Sequence, residues 1–373
     1  MIKSCYIHIP FCFNICSYCD FCKNYYNKEI VDKYLDALSI EIKNNYKNEL
    51  LNTLYIGGGT PSSLSINQLK KLFNILKIFK LNNKYEYTFE CNYEDITEEL
   101  LILLKDNKVN RLSIGIQTFN DKYKNFLNRK INKDKMIESI KLSKKYFDNI
   151  NVDLIYALLN QSIEDIKNDL DIFIKLDIPH ISTYSLIIEE HTKLFIDKIK
   201  EVDEDTQNKI YYFIVNYLKK HNYNHYEISN FSKEGYESKH NLTYWNNDNY
   251  YGFGAGASGF INNIRYDNTK SIYNYIEGTT KIKEEKLSNE QLINDEIMLG
   301  LRKTEGINLD TFYNKYKVNL NDLYNYHILI DKNLLKKKEK NIFIPEEKLF
   351  ISNEIIIEFL NVNTSWIKRC FNV

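Results

Sequence analysis

Three thiols stand close together near the start of the chain, in the stretch Cys12-Phe13-Asn14-Ile15-Cys16-Ser17-Tyr18-Cys19. The spacing C-x3-C-x2-C lets Cys12, Cys16 and Cys19 close on one metal centre before any long-range folding. Three thiolates without an obvious fourth describe a 4Fe-4S cluster in which one iron stays open to a small ligand, whereas electron-transfer clusters and structural zinc normally take four protein ligands. An open iron points to ligand binding or chemistry. Cys22 follows after two further residues, so Cys12, Cys16, Cys19 and Cys22 also describe a closed zinc site, and both readings stand at this point.

The bulk properties bound the rest. A chain of 373 residues is long enough for one large domain and a smaller one. Lys plus Arg and Asp plus Glu each number 50, so no net field draws nucleic acid or an anionic membrane. No apolar run approaches the roughly 20 residues of a membrane span, and a strand begins within a few residues of Met1, leaving no room for a signal peptide. The expectation is a cytoplasmic protein that is not itself a membrane protein. Seven cysteines, most of them packed into residues 5 to 22, argue against a disulfide framework and for a reducing compartment. Cys91 and Cys370 stand alone and read as buried or incidental thiols.

The elements that position the thiols follow from periodicity. Ser4 to Pro10 alternates around β-formers and reads as a first strand delivering the cysteines onto a loop. Ile30, Val31, Tyr34, Leu35, Leu38 and Ile42 recur at helical spacing, predicting an amphipathic helix of about 18 residues. Strands over Thr53–Ile56, Tyr85–Cys91, Arg111–Gln117, Ile150–Ala157 and His180–Ile187 then alternate with helices, two of them capped by Ser65 and Thr97. Six successive βα units imply an α/β fold with a parallel sheet and right-handed crossovers, and function at the C-terminal ends of its strands. Gly57-Gly58-Gly59-Thr60-Pro61, Glu90 with Asn92, Gln117, and Asp153 with Tyr156 all fall on that rim.

From about residue 205 the pattern changes. A helix through Ile210, Tyr211, Ile214 and Leu218 leads to a strand over His225–Asn230 and to a loop, Lys239–Trp245, rich in aromatic and polar side chains. Gly252-Phe253-Gly254-Ala255-Gly256-Ala257-Ser258-Gly259 permits close backbone approach to a ligand or another element. From the capping box Ser288-x-x-Gln291 onward, short helices and a Lys336-Lys337-Lys338 turn predict a smaller, mostly helical C-terminal domain of winged-helix-like character. The lysines read as a solvated turn and not as a nucleic-acid site. The division is residues 1–204, a connecting region 205–287, and 288–373.

Tyr6-Ile7-His8-Ile9-Pro10-Phe11-Cys12, followed by the cysteine spacing, resembles the opening of the radical S-adenosylmethionine (SAM) enzymes, in the subgroup holding oxygen-independent coproporphyrinogen III oxidase and the HemW-type haem chaperones. The resemblance continues through Gly57–Ser62, Glu90-Cys91-Asn92, Asn110–Asn120, Asn151–Tyr156 and Tyr184–Glu190. It implies a partial (β/α)6 TIM-like barrel of the radical SAM type. It also implies SAM binding by Tyr6, Gly58, Gly59, Thr60, Glu90, Gln117, Arg129 and Asp153, beside a 4Fe-4S cluster on Cys12, Cys16 and Cys19. In those roles Glu90 accepts from an ammonium or ribose, Arg129 pairs with a carboxylate, and Gln117 and Asp153 bond ribose hydroxyls or the amino group. Tyr6 and Tyr18 flank the cluster and can pack against the ligand. Three positions depart from the pattern: Tyr93 replaces a proline, Asn128 a glycine, and Leu158-Leu159-Asn160-Gln161 a Leu-Pro-Gly-Gln turn.

Within the subgroup, the oxidase pattern has Cys two residues after the third cluster cysteine, where this chain has Phe21, and an extended N-terminal segment where this chain has eleven residues before Cys12. His240-Asn241-Leu242-Thr243-Tyr244-Trp245 matches the HNxxYW motif of the chaperones, and Gly300–Gly306 resembles their C-terminal signature. The resemblance therefore implies a chaperone that binds cluster, SAM and haem and passes haem to an apo-haemoprotein such as a membrane respiratory enzyme. His240 is a candidate haem-iron ligand, with Tyr244 and Trp245 offering faces for the macrocycle; a His240 that only hydrogen-bonds its neighbours is the alternative. A coproporphyrinogen oxidase and a zinc-stabilised binding module are the competing functions, and SAM cleavage in turnover stays open.

Overall fold

The computed structural model describes residues 2–361, so Cys370 and the end of the predicted C-terminal domain lie outside the described residues. Six strands alternate with helices: β1 (Ser4–Ile9), α1 (Lys28–Asn45), β2 (Leu50–Gly58), α2 (Ile66–Leu76), β3 (Lys80–Asn92), α3 (Glu98–Asp106), β4 (Arg111–Gln117), α4 (Lys133–Ser143), β5 (Asn149–Tyr156), α5 (Ile163–Lys175) and β6 (His180–Ser185). Each strand pairs in parallel with the next, as in an α/β partial barrel. The helices start where side chains answer the unpaired N–H groups of a first turn. Asn27, Ser65, Thr97, Asn132 and Ser162 each accept from the backbone three residues on, and Ser65 and Ser162 form capping boxes with Gln68 and Asp165.

Buried parallel strands usually read as unbroken apolar runs, but these alternate. Leu54, Ile56, Phe89, Leu112, Ile114, Val152 and Ile181 face the helices and are essentially buried. The intervening residues, among them Tyr55, Glu90, Arg111, Ser113, Asn151, Asp153 and Ser182, line the inside. A period of two therefore describes a barrel with an apolar outside under helices and a polar lumen.

After β6 the sheet grows antiparallel on one side, through α6 (Glu204–Lys220) and the hairpin β7 (Asn224–Glu227) and β8 (Asn230–Ser232). The single strand expected over His225–Asn230 is thus two, because the Glu227 carboxylate takes the Ser229 N–H at 3.0 Å and turns the chain. The stretch Lys239–Trp245, expected as a loop, is a helix, α7, capped by Ser238. The chain then crosses to the other edge, where β9 (Tyr250–Phe253) pairs in parallel with β1 and is followed by the antiparallel β10 (Ser258–Ile261), β11 (Ile264–Asn268) and β12 (Lys281–Lys286). The glycine-rich run is the turn that makes this packing possible. A Cβ on Gly252 would stand 1.9 Å from the Ser258 carbonyl oxygen, so the close approach is to another strand.

The smaller C-terminal region is mostly helical, beginning with α8 (Asn289–Gly300) and its predicted Ser288–Gln291 capping box. It also holds a three-stranded sheet. Lys336–Lys338 is one of its strands, paired with Asn341–Phe343, and the turn falls at Glu339, with φ of 53°. No helix of the described residues is long and apolar enough to cross a membrane.

One buried carboxylate fastens the edge hairpin to the barrel. Glu41 of α1 accepts from the Gly254 N–H at 2.9 Å, the Asn268 amide at 2.7 Å and the Tyr275 hydroxyl at 2.5 Å. Glu41→Ala strands three buried donors, so urea unfolding should show a loss of about 2–4 kcal/mol with an unchanged dependence on denaturant; a loss below about 1 kcal/mol would mean that water replaces the carboxylate.

Candidate functional site

A cleft of about 1390 Å³ opens at the C-terminal ends of the strands and runs down into the polar lumen. Cys12, Cys16, Cys19, Gly58, Gly59, Thr60, Glu90, Gln117, Arg129 and Asp153 all line it. Single ligand pockets typically occupy about 300–1,000 Å³, so the space exceeds what one small molecule fills. Tyr6 and His240 are not on its wall.

The cysteine loop is held from several sides. The Gly59 and Thr60 N–H groups donate to the Ile9 and Phe11 carbonyls, each at 2.9 Å, and the Thr60 hydroxyl reaches the Cys12 sulfur at 3.4 Å. A Cβ on Gly59 would stand 2.8 Å from the Phe11 nitrogen and 3.0 Å from the Cys12 sulfur, so only glycine lets the loop lie this close. Across the cleft, the Ser17 N–H donates to the Leu127 carbonyl at 3.1 Å and the Asn128 amide to the Ile15 carbonyl at 2.9 Å. Tyr18 packs on a small apolar cluster of Tyr123, Leu127, Ile155, Leu158, Leu186 and Leu194. Asn128 takes the left-handed conformation, φ 46°, and Asn160 does too, φ 59°. Asparagine tolerates that region better than other side chains, which explains how both departures from glycine keep the turn.

Cys22 stands apart from the other three. Its thiol donates to the Lys270 carbonyl at 3.3 Å and its Cβ packs near Gly256, so it does not line the cleft. The loop therefore presents three thiols to the wall; Cys91 of β3 also borders the cleft but belongs to the hydrophobic core. Burial pushes the Cys12 thiol up to about 11, partly offset by the Thr60 hydroxyl, and burial also raises Cys19. Metal binding here would expel protons.

Glu90 ends β3 facing the cleft, where it accepts from the Tyr55 hydroxyl at 2.7 Å and the Gly58 N–H at 3.0 Å. Burial pushes its pKa up to about 7; the Tyr55 bond opposes this and the neighbouring Asp153 adds to it. Asp153 accepts from the Asn151 amide at 2.9 Å and is likewise raised by burial. Arg129 donates to Asn92 at 2.7 Å, to the Gly115 carbonyl at 2.5 Å and to the Cys16 sulfur at 3.7 Å, while its Nε has no partner among the described residues. Gln117 has φ of 69°, where the register between β4 and β5 shifts.

His240 is 1% exposed. Its Nδ1 pairs with the Thr53 hydroxyl and its Nε2 with the Tyr244 hydroxyl, both at 2.8 Å, and its ring stacks on Tyr55 at 4.9 Å. Burial lowers its pKa to about 3. Neither nitrogen is free for an iron, so the geometry matches the hydrogen-bonding alternative and not the haem-ligand expectation. Its effect on the site runs through Tyr55, which orients Glu90. Tyr6 lies behind the same ring, 5.9 Å from Tyr55, with its hydroxyl on His8. Only Asn241 of α7 reaches the cleft. The inward row Arg111, Ser113, Asn151 and Ser182 was not singled out from the sequence, although the alternation in Arg111-Leu112-Ser113-Ile114 carries the signal.

Residues 6–173 match the radical SAM superfamily and residues 287–350 the HemN C-terminal domain. The chain is 40% identical to the heme chaperone HemW of Lactococcus lactis over 96% of this chain and 97% of that one. It is 36% identical to the heme chaperone HemW of Bacillus subtilis, covering 96% of this chain and 99% of the relative. Among solved structures, coproporphyrinogen III oxidase (HemN) of Escherichia coli matches with a TM-score of 0.84 over 96% of this chain and 90% of that chain; at 21% identity this speaks for the fold alone.

The Glu90 carboxyl has a pH signature. With its pKa raised from 4.5 unfolded to about 7 folded, the native state holds a proton that the unfolded chain has lost, so stability falls as pH rises through that window. Urea unfolding of the metal-free protein should show wild type losing up to about 3 kcal/mol relative to Glu90→Gln between pH 4.5 and 7. Parallel curves for the two proteins would place the Glu90 pKa in the ordinary range.

Proposed function

The chain belongs to the HemW family of haem chaperones within the radical SAM superfamily, and from that premise we propose that it binds haem and hands it to an apo-haemoprotein, such as a membrane respiratory enzyme, from the cytoplasm. Cys12, Cys16 and Cys19 would hold a 4Fe-4S cluster, which supplies an open iron for the amino and carboxylate groups of SAM and a source of one electron. The observation that carries this reading is the sorting of four neighbouring thiols. Three line one cleft and Cys22 turns away to a backbone carbonyl. A closed zinc site would need the fourth.

The residues of the wall suit the rest. Glu90, facing the cleft with a carboxyl poised near neutrality, can take an ammonium. Arg129, fixed by Asn92 and Gly115 and with a donor to spare, can meet a carboxylate. Gln117 and Asp153 face the same space and can bond ribose hydroxyls. Gly58, Gly59 and Thr60 line the cleft beside the thiols, and the glycines let the turn pack against His8, Phe11 and Cys12. Tyr6 supports this wall from behind Tyr55.

Anaerobic reconstitution separates the readings. Cys12→Ser, Cys16→Ser and Cys19→Ser should each lose iron and sulfide, while Cys22→Ser retains them; loss in Cys22→Ser would return the four-thiol zinc reading. The reconstituted protein, titrated with haem by absorption spectroscopy with and without SAM, should bind haem stoichiometrically and form no protoporphyrinogen from coproporphyrinogen III. Porphyrinogen turnover without haem binding would make it an oxidase.

A further inference from the structure

Arg111 begins β4 at the deep end of the lumen and is 2% exposed, yet it lines the cleft. Among the described residues no side chain forms a hydrogen bond or ion pair with its guanidinium, and its Nε is buried without a partner. Thr88, its register partner on β3, is fully buried, and its hydroxyl is also unpartnered. Glu90 and Asp153 lie in the same lumen but are held elsewhere, by Tyr55 with Gly58 and by Asn151. Their charges still reach Arg111, but neither gives its guanidinium a hydrogen bond; a buried donor left unpaired is costly, and a fold keeps one where something else completes it.

The surroundings say what that is. Ser113 stands one turn of the pleat above Arg111, and its oxygen accepts from the Asn151 amide at 2.8 Å, so its hydroxyl proton is free to donate. A guanidinium beside a free hydroxyl suits a carboxylate. Arg129, by contrast, is held on the Gly115 carbonyl, four residues further along β4. At the opposite end of the cleft Phe13, Phe21 and Ile187 line the mouth and are 62%, 63% and 58% exposed. They form an exposed apolar patch on a wall that also carries Asp20, Lys23, Lys124 and Lys130, while Arg111 stands at the inner end.

We propose that Arg111, with Ser113, is a carboxylate subsite that receives a propionate of haem, the macrocycle lying above it with an apolar edge toward Phe13, Phe21 and Ile187. This rests on the chaperone reading and adds the direction in which the cargo enters. The propionate points inward because the unpaired guanidinium and the free hydroxyl of Ser113 stand at the inner end of the lumen.

The test compares haem with haem dimethyl ester, whose propionates are neutral, on the full reconstituted chain. Wild type should bind haem about ten- to a hundredfold more tightly than the ester, and Arg111→Gln should remove that difference by weakening haem alone. SAM affinity should change less than haem affinity, since Arg111 acts on Glu90 and Asp153 only through its charge. The melting temperature of the metal-free variant should be no lower than that of wild type, since no partner is lost. Equal affinity of wild type for haem and ester overturns the proposal, and needs no variant to fold. So does an Arg111→Gln protein that binds haem like wild type, or one that loses SAM and keeps haem. A wild type that binds no haem at all sinks the chaperone reading itself, which the other outcomes leave standing.

Discussion

A polar group inside a barrel must find a partner or a ligand, and that constraint shapes the molecule. Glu86 on β3 meets it by capping α7: its carboxylate takes the N–H groups of Lys239 and His240, each at 3.0 Å. His240 then takes Thr53, and Ser4 takes Thr243 at 2.8 Å, so the helix closes the lower lumen with its own polar side chains. On the far wall Tyr226, His180 and Asn151 form a chain that ends on Asp153, Ser113 and Ser182. Hydrogen-bonded networks of this kind stiffen the walls, and they hold the cleft open above them.

The upper end of the lumen is organised by the thiol loop. A short parallel ladder of Phe11–Cys12 with Asn24–Tyr25 closes its base, and backbone hydrogen bonds to the Gly59 turn on one side and to Leu127 and Leu194 on the other fix the rest. Tyr18 anchors it in an apolar cluster that is separate from the main core. The loop's position therefore reports on strands β1, β2 and β4 together. The same contacts put Arg129 against Cys16, so a positive charge from across the cleft joins that of Lys23, which follows the thiols in sequence.

Much of this could be read from the chain. The Ser65 and Thr97 caps, the alternation of Arg111 to Gln117 and the Gly57–Pro61 turn are local signals, because caps, pleats and tight turns are decided within a few residues. Lys239–Trp245 escaped because seven residues give too little period to read and because the helix is stabilised by Glu86, which is far away in sequence. His225 to Asn230 escaped for a related reason: the hairpin depends on the Glu227 carboxylate folding back, not on a glycine turn. His240 carried a motif whose type was plain but whose two nitrogens are filled by residues from β2 and from its own helix.

By itself, the amino-acid sequence determined the element order, the three-thiol spacing and the rim on which Glu90, Gln117 and Asp153 stand, since each follows from short-range geometry. Only the tertiary structure decided which of four thiols face the cleft, that His240 is sealed under Tyr55, and that Arg111 is left without a partner. Those are questions of which distant groups meet, and a pattern along the chain records what a residue offers but not whether another residue has already taken it.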